Sequence, residues 1–147
     1  MRSNPQFGRA WLALAIALGL HVLDETLTDF LSVYNPIVRQ ARERWGWFPM
    51  PEFTFGVWLG GLCLLVTVLL LLTPLAYRGS RALRIFAYPY GVIMFLNGVG
   101  HLVGSIYLGR WAPGATTAPI LLATSSWLLR ETIKASAKHS PKLDHSW

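Results

Sequence analysis

From Phe55 to Leu72 the chain reads FGVWLGGLCLLVTVLLLL, and no charged residue occurs between Phe53 and Tyr77. An apolar run of about 18 residues or more reads as a helix that crosses a membrane. Three further blocks have the same character. The first runs from Arg9 to Asp29, with an uninterrupted apolar core from Ala10 to Leu20; the third runs from Leu83 to Leu108; the fourth runs from Pro113 to Leu129. The second ends at Thr73-Pro74, and Pro119 predicts a kink inside the fourth. The sequence therefore predicts an all-α, polytopic four-helix membrane bundle over residues 1–135, followed by a mobile polar tail over 136–147. Four spans of ~20 residues take about 80 residues, which leaves no room for a separate soluble domain in a chain of 147.

Composition agrees. The apolar fraction is 53% and the charged fraction 14%, against roughly 45–50% and 25% in soluble domains. Disorder is excluded, because it needs low hydrophobicity and high charge. The net charge of +6 is not a nucleic-acid signal, since no nucleic-acid motif accompanies it and membrane proteins gather Lys and Arg on cytoplasmic loops. Nine basic residues (Arg2, Arg9, Arg78, Arg81, Arg84, Arg130, Lys134, Lys138, Lys142) fall on one side of the four spans and four (Arg39, Arg42, Arg44, Arg110) on the other. The bias places both termini in the cytoplasm, with a bacterial inner membrane as the expected setting. A cleaved signal peptide is disfavoured, because no small-x-small site follows Leu20. Cys63 is a lone thiol and reads as packing. There is no internal repeat, and His139 and His145 in the tail receive no role.

The first connection, from Phe30 to Thr54, predicts a short amphipathic helix on the outer surface. Asn35-Pro36 has the form of a helix start, and Ile37, Ala41 and Trp45 recur at spacing four with Arg39, Arg42, Glu43 and Arg44 largely on the other side. Trp45, Trp47 and Phe48 suit an interfacial anchor better than the lid of a site.

The chemistry is concentrated within hydrocarbon. The first span carries His21, Asp24, Glu25 and, near its end, Asp29. An ionised residue at the centre of a membrane helix costs about 2.5–3.5 kcal/mol on insertion scales, and such residues face the bundle interior and mark function. At about 100° per residue, Asp24 lies roughly 60° to one side of His21 and Glu25 roughly 40° to the other, so the three form one stripe. The third span has a matching stripe of Asn97 and His101, with Gly100, Gly104 and Ser105 on that face as small residues expected to admit a neighbouring helix. The depths also match: His21 lies ~12 Å before Asp29 and His101 ~13 Å before Arg110 at 1.5 Å per residue. If the two spans are neighbours, His21, Asp24, Glu25, Asn97 and His101 converge.

Two imidazoles and two carboxylates suffice to hold a divalent metal, zinc or iron, with His21, Asp24, Glu25 and His101 as ligands. Glu25 and Asn97 are the candidate catalytic groups, with Asn97 orienting water or substrate. The same residues without metal make a general acid–base couple in an apolar pocket, a proton path, or a structural network that fixes helix pairing. Arg110 is a candidate contact for an anionic substrate group or a partner for Asp29, and equally an interfacial anchor. Glu52 is an outer carboxylate within possible reach of the site. Tyr88, Pro89 and Tyr90 read as packing, and Arg130 and Glu131 as solvated. The expected partners are membrane lipids and a lipidic or small amphipathic substrate.

His21-x-x-Asp24-Glu25, then Asn97-x-x-x-His101, then Arg110-Trp111-Ala112-Pro113-Gly114 resemble the HXXEE-domain family. These are small integral membrane proteins of unassigned function, with a His-x-x-Glu-Glu motif and an Asn-x-x-x-His followed by an aromatic, a small residue and Pro-Gly. The resemblance covers residues 12 to 130 and implies a membrane enzyme, with metal dependence as one option. The departure is Asp24, one methylene shorter than the family's first Glu but equally charged. His21 and Glu25 at i, i+4 are also similar to the emopamil-binding-protein superfamily of sterol isomerases and binders, which implies a metal-free lipid cavity. The Pro-Gly element fits that second family less well.

Overall fold

The structure, a computed structural model, describes residues 4–137, and every regular element among them is an α-helix. In chain order these are α1 (Pro5–Leu27), α2 (Phe30–Trp45), α3 (Phe55–Leu71), α4 (Thr73–Tyr77), α5 (Arg81–Leu108) and α6 (Ala118–Ala137). Two of them, α1 with 23 residues and α5 with 28, are long and apolar enough to cross a membrane. The third apolar helix, α3, has 17 residues. Arg2, Lys138, Lys142, His139 and His145 lie outside the described residues.

Local chemistry explains the boundaries. Asn4 Oδ1 accepts the Phe7 N–H at 3.2 Å and Pro5 occupies the first helical position, so the start of α1 is capped. The indole N–H of Trp11 donates to the Leu69 carbonyl at 2.9 Å, and the Thr73 hydroxyl reaches the same carbonyl at 3.3 Å. Pro74, without an N–H of its own, completes the break between α3 and α4.

The packing is built around α1 and α6. α1 lies between α3 and α6, α4 covers its N-terminal end, and α6 runs along α5. α5 approaches α6 closely because Gly91 and Gly98 face it: a methyl group at either would lie 2.8 Å from Leu129 or Leu122 Cγ. By contrast, the α5 backbone scarcely meets α1 or α3. Large side chains bridge that wider gap. Trp11, fully buried, meets Phe86 and Tyr90 with ring centroids 6.1 and 5.6 Å apart; one level further along, His21 meets His101.

Five sequence expectations are corrected. α2 begins at Phe30, not at Asn35-Pro36, and Pro36 sits inside it. Its start is set by the aromatic stack of Phe30 on Tyr34 and Trp58, while Asn35 turns outward to exchange hydrogen bonds with both backbone groups of Phe53, at 2.9 and 3.0 Å. The fourth helix begins at Ala118, because residues 113–117 form turns instead. Pro119 therefore falls in the first turn, where a missing N–H is harmless, and makes no kink. α6 also continues past Arg130 and Glu131 to Ala137, so Ser136 belongs to a helix and Glu131 pairs with Lys134 at 2.7 Å. Finally, Gly100 and Gly104 admit no helix: a methyl group at either meets nothing within 4 Å, and both line a cavity.

The segment 46–54 folds back on α2. Arg39 donates to Glu52 at 2.8 Å, Arg42 to the Met50 carbonyl at 2.6 Å, and the Tyr34 hydroxyl to the Pro51 carbonyl at 3.1 Å. The Arg39 hydrogen bond holds the Glu52 carboxyl below its ordinary value of 4.5. The contribution of this pair is therefore complete above that value and lost as pH falls through the lowered one. Being exposed, it is also screened by salt. Hydrogen-exchange protection across residues 46–54, taken relative to the intrinsic rate at each pH, is expected to be flat from neutral pH to about 5 and to fall only below 4.5.

Candidate functional site

Two helices and one turn bring the site together. His21 and Glu25 stand one turn apart on α1, and Asn97 and His101 one turn apart on α5. His21 is fully buried, Glu25 is 4% exposed and His101 9%. The two imidazoles meet edge to face with centroids 4.6 Å apart. Glu25 Oε1 lies 3.1 Å from His101 Nε2 and 3.6 Å from His21 Nε2. Asn97 Oδ1 lies 3.1 Å from His21 Nε2.

The turn between α5 and α6 supplies what fixes the rings. His101 Nδ1 lies 2.5 Å from the Pro113 carbonyl. A carbonyl only accepts, so Nδ1 carries the proton. His21 Nδ1 lies 2.8 Å from Thr117 Oγ1. The same hydroxyl donates to Asp24 Oδ2 at 2.9 Å, and the Thr117 backbone N–H donates to that oxygen at 3.0 Å. Its one proton is thus committed to the carboxylate, and it accepts from His21 Nδ1–H. His101 therefore aims its Nε2 lone pair at the Glu25 carboxylate, while His21 presents Nε2 to both Glu25 Oε1 and Asn97 Oδ1. His21 Nε2, His101 Nε2 and a Glu25 oxygen, all within 4.8 Å of one another, face a common point. That arrangement is favourable only when a proton or a cation lies among them.

Close packing holds the turn in place. Gly114 has φ of +78°, and a methyl group there would lie 2.7 Å from His101 Cε1 and 3.0 Å from Glu25 Cγ. Ala112 N–H donates to Ser105 Oγ at 3.0 Å, and Trp111 Nε1 to Thr116 Oγ1 at 3.1 Å. The Trp-Ala-Pro-Gly stretch is thus the wall of the site as well as a turn.

The other candidate residues lie further out. Asp24 faces Thr117 and does not join the three converging atoms, so the expected fourth ligand becomes a support for His21. Arg110 is exposed and lines neither cavity beside the site. Glu52 is held by Arg39 and Arg42 and does not dip inward. Asp29 takes a left-handed φ of 56° between α1 and α2, a conformation that Asp tolerates better than most residues. Trp45 and Trp47 are exposed. The residues that cover the site are Phe30, 5.6 Å from the His101 ring, and Tyr34. On one side of these two a cleft of about 380 Å³ contains His21, Glu25 and Asn97; on the other a cavity of about 270 Å³ contains His101, Gly100 and Gly104.

Sequence reasoning missed Thr117, the Pro113 carbonyl and the steric role of Gly114. The usable signal was a Pro-Gly pair followed three residues later by a hydroxyl, next to a helix start. Comparison with known proteins bears on the same residues. The profile of a family described as "protein of unknown function with HXXEE motif" matches residues 11–128. No curated protein and no solved structure gives a significant match.

Proposed function

The chain belongs to the HXXEE family, and on the site built by that motif we propose that it is a four-span integral membrane enzyme, holding one divalent metal through His21, Glu25 and His101. The observation that carries this reading is the convergence of His21 Nε2, His101 Nε2 and a Glu25 carboxylate oxygen within 4.8 Å of one another, with an oxygen partner behind each ring at Nδ1. Metal-bound histidines are typically held in this way, by a carbonyl or a carboxylate-linked group behind the ring. Ligand atoms bound at ~2.1 Å in a tetrahedron lie roughly 3.4 Å apart; the Nε2–Oε1 separations are 3.1 and 3.6 Å. Two His and one Glu with a fourth position open is a catalytic donor set for zinc, and iron accepts the same ligands.

A metal bound there supplies Lewis acidity and an ionised water for hydrolysis of a lipidic or small amphipathic substrate. The chain's own residues then have distinct tasks. Thr117 and Asp24 hold the His21 ring, Pro113 holds the His101 ring, and Asn97 sets its amide against His21 Nε2 on the cleft side. Burial by Phe30 and Tyr34 excludes bulk water. The membrane setting is supported by the outer faces of the helices, where Leu64, Leu71, Ile93, Leu96 and Ile106 are each more than half exposed; apolar surface of this extent marks contact with lipid or partner. The excess of Arg and Lys at the termini and beside α4 supports cytoplasmic termini.

Detergent-purified protein is expected to carry one zinc or iron per chain, and His101→Ala and Glu25→Gln to carry less than a tenth of that. Equal, substoichiometric metal in all three defeats the proposal. A second reading is favoured by the 3.1 Å approach of Glu25 to His101: a proton shared between them makes a metal-free acid–base couple suited to isomerisation. It requires metal-free protein to be fully active.

A further inference from the structure

The cleft that holds Glu25 has a length and a direction. Its floor is α1 from Leu18 to Glu25, and one wall is α3 from Trp58 to Leu65. Each stretch advances seven residues, or about 10 Å at 1.5 Å per residue. Met94 and Asn97 of α5 form the facing wall. The α3 and α5 backbones lie apart, and the cleft runs along the gap between them. Phe30, Tyr34 and Phe53 roof the end where Glu25 sits. The polar groups His21, Glu25 and Asn97 are gathered at that roofed end, and the remainder of the path is lined by Leu18, Val22, Leu62, Leu65 and Met94.

Gly61 lines this path, and a methyl group at Gly60 or Gly61 would meet nothing within 4 Å. Glycine weakens a helix, and no neighbouring helix requires it here. What Gly61 provides is the opening itself. The volume of about 380 Å³ falls in the range of small-molecule sites, which are apolar with a few convergent polar groups.

We infer that the cleft between α3 and α5 binds the hydrocarbon chain of a single-chain amphiphile, its polar head at His21, Glu25 and Asn97 and its tail running toward Leu18 and Leu65. The chemistry at the head rests on the proposed function; the seating of the tail does not. Arg39 and Arg42 of α2, with Glu52 of the segment folded back on it, mark the aqueous side. An amphiphile admitted sideways between α3 and α5 therefore keeps the orientation it has in a leaflet, head outward and tail toward the midplane. No rotation is needed to reach the site.

The probe is a monoacylglycerol brominated in mid-chain, titrated into the full-length protein at constant detergent. Bromine quenches nearby indoles, and Trp58 lines the cleft. The expected result is a saturable quenching component that is absent in Trp58→Phe and at least ten-fold weaker in Gly61→Leu, with helicity and metal content of Gly61→Leu unchanged. Should Gly61→Leu not fold, Val57→Phe on the same wall decides by the same criterion. Non-saturating quenching, saturable quenching that neither variant weakens, or saturable quenching by a brominated sterol alone would overturn the inference. Saturable, Gly61-sensitive quenching in a protein that binds no metal sustains the inference and removes the metal reading instead.

Discussion

Gly114→Ala is expected to abolish stoichiometric metal binding without altering any ligand. Two independent effects act at this position. The backbone has φ of +78°, a region that costs a residue with a Cβ roughly 1–2 kcal/mol. The added methyl would also lie 2.7 Å from His101 Cε1, 2.8 Å from Nδ1 and 3.0 Å from Glu25 Cγ. Both side chains are buried and tied to partners, His101 to the Pro113 carbonyl and Glu25 to His101, so neither yields without breaking a contact. The turn must move or the His101 ring must rotate, and in either case the Nδ1 bond to the Pro113 carbonyl is lost. That bond sets which nitrogen of His101 carries the proton, and with it the direction of the Nε2 lone pair. Metal content should fall at least ten-fold, with a lowered midpoint of thermal unfolding. Gly109→Ala is the control: its φ is +60°, but no atom lies within 4 Å of the added methyl. It shares the backbone strain and lacks the clash, so it should lose stability and keep its metal. Equal metal loss in both variants would show that the turn acts only through backbone strain.

The parts of this arrangement that were legible in the sequence are those carried by periodicity. His21 and Glu25, and Asn97 and His101, are each one helical turn apart, and matching their depths brings the two imidazoles to one level. α3 and α5 were legible to within two residues because long apolar runs have few alternative readings. The rest depends on backbone atoms and on empty space, which side-chain patterns do not encode. Thr117 reads as one of several hydroxyls in the fourth apolar block; only the turn at residues 113–117 converts it into the partner of His21 and Asp24. A carbonyl such as that of Pro113 has no residue signature. Gly98 and Gly100 look alike in sequence, two positions apart, yet one is pressed against Leu122 and the other faces a cavity. Pro36 misled for a different reason. The periodicity of Phe30, Tyr34, Ile37, Val38 and Ala41 extends through it, and packing against Trp58 outweighs the local preference for a start at Asn35.

The link from Asp24 through Thr117 to His21 should behave as one unit. Thr117→Val keeps the shape of the side chain and removes the hydroxyl that accepts from His21 Nδ1 and donates to Asp24. The His21 ring then loses its only hydrogen bond on that side among the described residues, and its tautomer is no longer fixed. Loss of such a support behind a metal-bound histidine typically lowers metal affinity 10–100-fold, and that range is expected here from competition with a chelator. Asp24→Ala should fall in the same range, because the Thr117 proton then has the Gly114 carbonyl, at 3.4 Å, as its remaining acceptor and holds the ring less firmly. If the two residues act only through each other, the double variant should lose no more than the worse of the singles. Additive losses would mean that Asp24 reaches the metal by another route, as the direct ligand that the sequence alone suggested. Thr117→Ser separates position from shape: it keeps the hydroxyl and should retain affinity within about three-fold, whereas a purely packing role for Thr117 would make valine the milder change. The same series tests why the chain carries Asp where the family motif has Glu. Asp24 Oδ2 accepts both the N–H and the hydroxyl of Thr117, at 3.0 and 2.9 Å, and a side chain one methylene longer would have to fold back to do so. Asp24→Glu should therefore weaken metal binding in this chain, and a rise in affinity would show that the longer acid reaches the converging atoms instead.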